Sequence, residues 1–358
     1  MDFDLSADQL ALRDAAREFL GDQCPPARIR SVHESAAGWD PQLWAAMVEL
    51  GWLGVAVAEA DGGLGFGLVE LAVLIEEAGR HTVPVPWVPA AIATSLASRA
   101  GATDLVTRLL EGPPVAVAWS ARPDAVAVTA SGDATVRTDP TAFAPVAELV
   151  MLVVTGSDAA GVFVVEMDEA TRPGRDAAMD LSRPLGRVRL DGMTATRLGG
   201  VDLAEFALDL GATAASLELL GTADVAMNLA VEYAKDRVQF GRPIGSFQAV
   251  KHRCADMLVD VEGMRSSAYW AAWSLSVDDP DASIAASTAK VWATDASKRV
   301  MASALQVHGG IGFTWDHDLH LYMKRAQLDQ LTFGDAPFHR DRLGRALRAK
   351  VDAGLSVL

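Results

Sequence analysis

Long, alanine-rich segments without proline dominate the second half of the chain and constrain its fold most strongly. Within 212–237 the apolar residues recur at spacings of three and four, and 247–275 and 282–308 are two further segments of this kind. This spacing places apolar side chains on one face of a helix. Helices of such length pack against one another, so residues 203–358 are predicted to form a C-terminal helical bundle.

The rest of the chain divides into a helical and a strand-rich part. Residues 1–112 predict an N-terminal α-helical domain, with helices after Ser6, over 44–53 and over 68–79. Residues 113–202 predict a small middle β domain, because short Val- and Thr-rich runs alternate there with Gly, Pro and Asp. Its expected strands are 115–119, 125–129, 149–154, 162–166 and 187–190. The four glycines within 62–67 predict a turn, since the strand and full spacing of a nucleotide-binding loop are missing.

Composition excludes several classes of protein. The formal net charge of −16 argues against broad nucleic-acid binding, although one site can still attract an anionic small ligand. The sequence contains no apolar stretch long enough for a membrane span and no basic, apolar leader, so a cytoplasmic location is expected. Cys24 and Cys254 predict two free thiols rather than a disulfide framework. His317 and His320 lack a matching set of carboxylates, so no metal site is predicted.

The segment 237–252 is the first that indicates chemistry. A helix is expected to stop near Gly241 and Pro243, and another to start after Ser246 as its N-cap. Arg237 closes the first helix and is able to hold a phosphate through two hydrogen bonds. The alternative is a favourable cation beside the helix dipole.

The segment 306–314 is the second such motif. Gly309 and Gly310 follow a long helix, and adjacent glycines allow backbone N–H groups to approach a ligand closely. Gln306 adds an amide that can donate and accept hydrogen bonds at a polar edge of a ligand. The alternative is an ordinary glycine-terminated helix end.

Taken together, these motifs resemble the acyl-CoA dehydrogenase family of flavoproteins. The resemblance rests on Arg237 and Phe240-Gly241 with Phe247-Gln248, and on Gln306 with Gly309-Gly310 and Gly312. The opening segment from Phe3 to Phe19, and the Gly-Trp-Leu-Gly run of 51–54 followed by the glycines of 62–65, are similar to the family's first domain. The resemblance covers nearly the whole chain, and the helix–strand–helix order agrees with the acyl-CoA dehydrogenase fold. The resemblance implies that the C-terminal bundle of residues 203–358 is a four-helix bundle.

The resemblance implies an FAD-dependent dehydrogenase that introduces a double bond between C2 and C3 of an acyl-CoA. In such enzymes a carboxylate removes the α proton while a hydride leaves for the flavin, and hydrogen bonds stabilise the developing enolate. Family members are usually tetramers in which one chain serves the FAD held by its neighbour. The residues that this implies for the adenosine and diphosphate end of FAD are Arg237, Phe240, Gln248, Gln306, Gly309 and Gly310.

The sequence departs from the family pattern where the family carries its catalytic base. Gly334 stands at the usual position of the glutamate, and Gly211 at the alternative position on the first long C-terminal helix. The expected flavin-facing segments of the middle domain are not found between 113 and 200. Asp335 and Glu218 are substitute bases to be weighed, against structural roles for both. Asp335 is shorter and shifted by one residue, which matters because a displacement of ~1 Å can cost ~100-fold in rate.

The favoured interpretation is one subunit of a hetero-oligomeric dehydrogenase, similar to actinobacterial α2β2 members that act on bulky acyl-CoAs, including steroid side chains. This chain then contributes part of a shared FAD site, and a second family subunit supplies the base. One alternative is an independent homo-oligomeric enzyme that uses Asp335 as base. Another is a non-catalytic scaffold or acyl-CoA-binding relative. Electron-transfer flavoprotein is the expected acceptor, and the arginines of 340–348 are expected to be a solvated face.

Overall fold

The computed structural model describes residues 4–119, 126–128, 133–156 and 159–356. Phe3, Ala125 and Thr129 of the predicted segments therefore lie outside the described residues. The described helices are α1 (Ala7–Gln23), α2 (Pro26–Glu34), α3 (Pro41–Glu49), α4 (Leu68–Arg80), α5 (Trp87–Arg99), α6 (Thr103–Leu110), α7 (Val201–Asp236), α8 (Gln248–Ser276), α9 (Ala282–His308), α10 (Leu319–Asp329) and α11 (Ala336–Asp352). The described strands are β1 (Val115–Trp119), β2 (Val126–Val128), β3 (Asp133–Ala142), β4 (Leu149–Val154), β5 (Gly161–Glu166), β6 (Leu185–Thr194), β7 (Thr196–Gly199), β8 (Val238–Gln239) and β9 (Arg242–Pro243).

Side-chain caps explain where several helices begin. The Ser6 hydroxyl accepts the Gln9 N–H at 3.2 Å, and the Gln9 side chain accepts the Ser6 N–H at 2.9 Å, which is a complete capping box for α1. Asp40 accepts the N–H groups of Gln42 and Leu43 at the start of α3. The prediction that Ser246 is the N-cap of α8 is wrong. Its hydroxyl donates to the Pro243 carbonyl at 2.7 Å, and Phe247 precedes α8 without a side-chain cap.

By its contacts the chain divides into two compact units. The sheet unit comprises residues 27–71 and 83–211, and the helical unit comprises residues 1–26, 72–82 and 212–358. In the sheet unit, β1, β4, β5 and β7 form one sheet, in which β1 and β4 are parallel. The strands β2, β3 and β6 form a second, antiparallel sheet. Apolar side chains of both sheets share one core, which includes Val136, Val150, Phe163 and Val188.

In the helical unit, α4 and α7 approach each other at two glycines. A Cβ atom on Gly221 would lie 2.2 Å from the Glu76 carbonyl oxygen, and one on Gly79 would lie 2.5 Å from the Glu218 carbonyl oxygen. Backbone therefore packs against backbone at this crossing, which only residues without a side chain permit.

A buried ionic cluster surrounds this crossing. Arg17 of α1 holds Glu77 through two hydrogen bonds of 3.0 and 2.6 Å. Glu76 pairs with Arg265 of α8 and accepts the Tyr269 hydroxyl at 2.8 Å. Burial and the neighbouring Glu76 carboxylate raise the pKa of Tyr269 well above its usual value. The cluster joins α1, α4 and α8 by paired charges, because buried charges without partners would be costly.

Candidate functional site

The Arg237 motif forms a tight hairpin at the end of α7. β8 pairs with β9, and Phe240 and Gly241 form the two-residue turn with φ angles of 53° and 78°. Positive φ at both turn residues matches the twist of a two-residue hairpin, although a bulky residue rarely adopts it. The Phe240 ring is 91% exposed at the tip. The Arg237 N–H still donates to the Tyr233 carbonyl at 2.9 Å, and the residue is exposed.

An aromatic pair and a cation–π contact, both made by Phe247, support the hairpin. The Phe247 ring lies edge-on to Phe240, with 6.1 Å between ring centroids. The Arg242 guanidinium lies 4.0 Å from the Phe247 ring centroid, which is a favourable cation–π distance. Gln248 follows directly as the exposed first residue of α8. The hairpin, Phe247 and Gln248 thus form one supported surface element.

The Gln306 motif ends α9 in a short glycine-rich turn. Gly309 has a φ of 62°, which favours glycine, and a 3₁₀ turn covers Gly309–Phe313. A Cβ atom on Gly309 or Gly310 would meet no protein atom within 4 Å. Gln306 is exposed on the last turn of α9. The glycines therefore present bare backbone to open space.

One aromatic contact joins the two motifs. Tyr233 of α7 stacks on His308 of α9, with 4.9 Å between ring centroids and 29° between ring planes. Arg237 follows Tyr233 by one helical turn, and Gln306 precedes His308 by two residues. The structure thus brings the two motifs to the same end of the bundle, and we call Arg237, Phe240, Gln248, Gln306, Gly309 and Gly310 the exposed edge.

The predicted base position has a backbone that leaves no room for a side chain. Phe333 and Gly334 have φ angles of 55° and 95°. A Cβ atom on Gly334 would lie 2.6 Å from the Phe338 ring and 3.0 Å from His339 Nε2. Asp335 is the N-cap of α11, and its Oδ1 accepts the Phe338 N–H at 2.9 Å. The carboxylate considered as a substitute base therefore caps a helix.

Two buried side chains hold this loop, and neither was among the residues predicted from the sequence. His339 Nε2 lies 2.8 Å from the Phe333 carbonyl and donates to it, and burial lowers the pKa of His339 to about 4. The Lys290 ammonium donates to the Asp329 carbonyl, and burial lowers the pKa of Lys290 to about 7. The sequence did hold a signal for Lys290, because a lysine within the apolar stripe of a long helix needs a buried hydrogen-bond partner.

The other candidate base positions are buried in α7. Gly211 lies in this helix and is buried. Glu218 Oε1 lies 3.9 Å from Nη1 of Arg325, and both residues are buried. Glu218 is thus a partner of a buried arginine.

The remaining candidates have local structural partners. His317 Nδ1 accepts the Leu319 N–H at 3.1 Å. In the part of the chain that the structure describes, no group of three or more His, Cys, Asp or Glu residues is placed to hold a metal ion. Of the C-terminal arginines, Arg340 pairs with Asp295 and Arg345 pairs with Asp341.

Comparison with known proteins identifies the family. The family model for the acyl-CoA dehydrogenase C-terminal domain matches residues 199–348, and that for the N-terminal domain matches residues 6–112. The chain belongs to the acyl-CoA dehydrogenase family. It is an oxidoreductase of acyl-CoA thioesters with FAD as its cofactor, and the predicted acyl-CoA dehydrogenase fold is confirmed.

Three relatives of the acyl-CoA dehydrogenase family show how similar the chain is. It is 32% identical over 323 residues to acyl-CoA dehydrogenase IpdE2 of Mycolicibacterium smegmatis, which covers 90% of this chain and 93% of that protein. The solved Tcur3481-Tcur3483 steroid ACAD matches with a TM-score of 0.88 and 30% identity, covering 96% of this chain and 99% of that chain. The ChsE4-ChsE5 complex of Mycobacterium tuberculosis matches with a TM-score of 0.89 and 29% identity, covering 97% and 99%.

The exposed edge fits the nucleotide end of FAD. A diphosphate requires positive charge, and Arg237 and Arg242 are both exposed at the hairpin in a chain of net charge −16. A purine requires an apolar surface, and Phe240 presents an exposed ring. The open faces of Gly309 and Gly310 allow a ligand to approach the backbone. No helix among the described residues is long and apolar enough to cross a membrane.

Proposed function

We propose that this chain is the nucleotide-holding subunit of a heteromeric acyl-CoA dehydrogenase. Arg237, Phe240, Gln248, Gln306, Gly309 and Gly310 serve an FAD that a second family chain shares. That second chain supplies the carboxylate that removes the α proton. The division into residues 1–112, 113–202 and 203–358 and the cytoplasmic location belong to the same proposal.

The observation that carries the proposal is the contrast between the exposed edge and the base position. The edge presents its cation, ring and open glycines outward. At Gly334 even a Cβ atom would lie 2.6 Å from the Phe338 ring. A carboxylate at this position thus requires a different backbone, which favours a base from another chain.

Each edge residue has a distinct task. When bound, FAD supplies the hydride acceptor for the β hydrogen of the acyl-CoA. Arg237 balances the charge of the diphosphate, and its planar guanidinium suits paired phosphate oxygens. Phe240 covers the adenine ring and excludes water from it. Gly309 and Gly310 allow close approach of the backbone, and Gln248 and Gln306 donate or accept at polar groups of the nucleotide.

The relatives support the choice of partner and substrate. Two of the similar solved structures are named as pairs, Tcur3481-Tcur3483 and ChsE4-ChsE5, and the first is described as a steroid ACAD. We therefore expect a second acyl-CoA dehydrogenase chain as partner and a bulky acyl-CoA, such as a steroid side-chain thioester, as substrate. Electron-transfer flavoprotein is the proposed acceptor of the electrons.

The flavin content of the purified chain tests the proposal. We expect no flavin absorbance from the chain alone, and about one FAD per two chains after co-expression with a family chain from an adjacent reading frame. Dehydrogenase activity should accompany the co-expressed complex only. One FAD per chain and turnover by the chain alone would instead favour an independent enzyme, which Asp335→Asn would then inactivate while flavin stays bound. A protein that stays colourless with every family partner would favour a non-catalytic relative.

A further inference from the structure

A small apolar cavity lies between the end of α7 and the start of α8, beside the exposed edge. Its volume is about 430 Å³, which is within the usual range for a binding pocket. Its lining combines apolar residues, one thiol and two lysines. The lining side chains used below are those of Val231, Ala234, Pro243, Val250, Lys251 and Cys254.

One wall of the cavity is the segment that follows the hairpin. Gly245 lies so close to α7 that a Cβ atom would be 2.9 Å from the Ala234 carbonyl oxygen. The Ile244 N–H donates to the Arg237 carbonyl at 2.8 Å. The wall of the cavity and the base of the Phe240 hairpin are therefore one connected backbone, so a group that fills the cavity also fixes the hairpin.

The mouth of the cavity carries positive charge. Lys235 is neutralised by Glu232, at 2.6 Å between Nζ and Oε1. Lys251 is exposed, and no ion pair involves it among the described residues. Arg253 is also exposed nearby on α8. In a chain of net charge −16, this local excess of cations favours an occupant that bears a carboxylate.

We propose that this cavity is the socket for the second acyl-CoA dehydrogenase chain, which inserts an apolar side chain flanked by a carboxylate that meets Lys251. The inference rests on the proposed function. It extends the exposed edge, because Gln248 precedes Lys251 by one turn of α8. An apolar anchor in a pocket with a charged rim is the common energetic centre of a protein interface.

Docking in the socket couples partner binding to cofactor binding. The occupant stabilises the wall that carries the hairpin, and the hairpin carries Arg237 and Phe240. Such coupling is reciprocal, so FAD should strengthen association of the two chains by the same factor as the partner strengthens FAD binding.

Alkylation of Cys254 tests the socket directly. Cys24 is only 1% exposed, whereas Cys254 lines the cavity and is partly accessible. We expect N-ethylmaleimide at pH 8 to label the chain alone at Cys254, and Cys254→Ser to abolish that labelling. In the two-chain complex the labelling rate should fall at least tenfold.

The outcomes separate this inference from the proposed function. A flavin-containing, active complex in which Cys254 reacts as fast as in the isolated chain would overturn the socket alone. If the two chains do not associate, both proposals fail. A third outcome is that decanoate protects Cys254 from labelling in the isolated chain, whereas association with the second chain does not protect it. That result would identify the cavity as a small-molecule pocket and would overturn the socket as well.

A charge reversal at the mouth gives a second, independent test. Lys251→Glu should weaken association of the two chains at least tenfold, measured by titration of one chain into the other. Lys298→Glu on α9 is the matched control, because Lys298 is also exposed and the charge change is the same. Equal affinity of the Lys251→Glu and Lys298→Glu variants would contradict the inference.

Discussion

Phe240 occupies a conformation that a bulky residue rarely adopts, with a φ of 53° and an almost fully exposed ring. Strain of this kind costs about 1–3 kcal/mol and persists where the surroundings enforce it. Here the β8–β9 pairing and the Phe247 ring enforce it. The strained turn is thus supported by its own strand pairing and by the Phe247 ring.

Replacing Arg237 should weaken cofactor binding without unfolding the protein. In the two-chain complex, Arg237→Gln is expected to lower FAD affinity about 10–100-fold, because a charged hydrogen bond contributes about 1.5–3 kcal/mol. The affinity is measured by fluorescence as FAD is titrated into the deflavinated complex. Arg348→Gln on α11 removes the same charge from another exposed position and should leave the affinity unchanged.

Gly334 should not tolerate even a methyl group. Gly334→Ala is expected to lower the free energy of unfolding by about 2–4 kcal/mol, because a φ of 95° is strained for alanine and the Cβ atom meets the Phe338 ring. Urea unfolding measures the change. Gly334→Glu should be destabilised at least as much and should give the isolated chain no dehydrogenase activity.

The control for this variant is Gly344→Ala on α11, where a Cβ atom would meet nothing within 4 Å. That variant should be as stable as the parent chain or more stable, since alanine favours a helix. A Gly334→Ala variant of unchanged stability would show that the loop can rearrange, and the argument for a base from another chain would lose its main support.

At the scale of elements, the crossing of α4 and α7 depends on two glycines. Gly221→Ala should lower the free energy of unfolding by about 3 kcal/mol, because its Cβ atom would lie 2.2 Å from the Glu76 carbonyl and the helices must separate. Separation would also disturb the Glu76–Arg265 pair. Thermal unfolding measures the effect. Gly21→Ala in α1, where the Cβ position is open, should not be destabilised, and equal behaviour of the two variants would contradict the close packing.

The long helices were predictable to within a residue at most ends, because their apolar spacing is continuous and glycine or proline flanks them. α8 covers Gln248–Ser276 where 247–275 was predicted, and α9 matches its prediction. α7 begins at Val201, before the predicted 212, since the preceding residues are also apolar. β3 was missed because it is polar and contains Pro140, and its pairing with β6 is shifted there.

At the scale of the whole molecule, burial of histidine makes stability depend on pH. Burial lowers the pKa of His339 to about 4, so below pH 6.5 the unfolded chain binds a proton that the folded chain does not. The free energy of unfolding therefore falls as the pH drops from 6.5 to 4, by up to about 3 kcal/mol from this residue. His339→Gln should lose this part of the slope in urea unfolding measured across that range.

Two other histidines define how specific this effect is. His81 also has a pKa lowered to about 4 by burial, so the His339→Gln variant should keep part of the acid dependence. His252 is exposed, and His252→Gln should leave the slope unchanged. An unaltered slope in His339→Gln would mean that His339 is not excluded from protonation in the folded chain.

Much of the proposed site was visible in the sequence because each motif is local. Arg237 with Phe240, and Gln306 with Gly309, each lie within a few residues, and backbone rules for glycine apply to them directly. Lys290 was missed because its partner, the Asp329 carbonyl, is a backbone atom of another segment. The partner of His339, the Phe333 carbonyl, is only six residues away, but it too is a backbone atom. A side chain that bonds to a backbone carbonyl leaves no pair of residue types at a recognisable spacing.

The sequence by itself determined the helical, strand-rich, helical order of the parts of the chain, the family and the absence of a glutamate at Gly334, since these follow from periodicity and from residue identity. Only the tertiary structure decided that Tyr233 stacks on His308, which places the two motifs side by side, and that Phe338 fills the space beside Gly334. The first contact joins two helices that are far apart in the chain, so it depends on which helix faces pack, and local residue patterns do not specify that choice. The second contact joins residues only four apart and follows from the left-handed backbone at Gly334, which residue identity alone does not reveal.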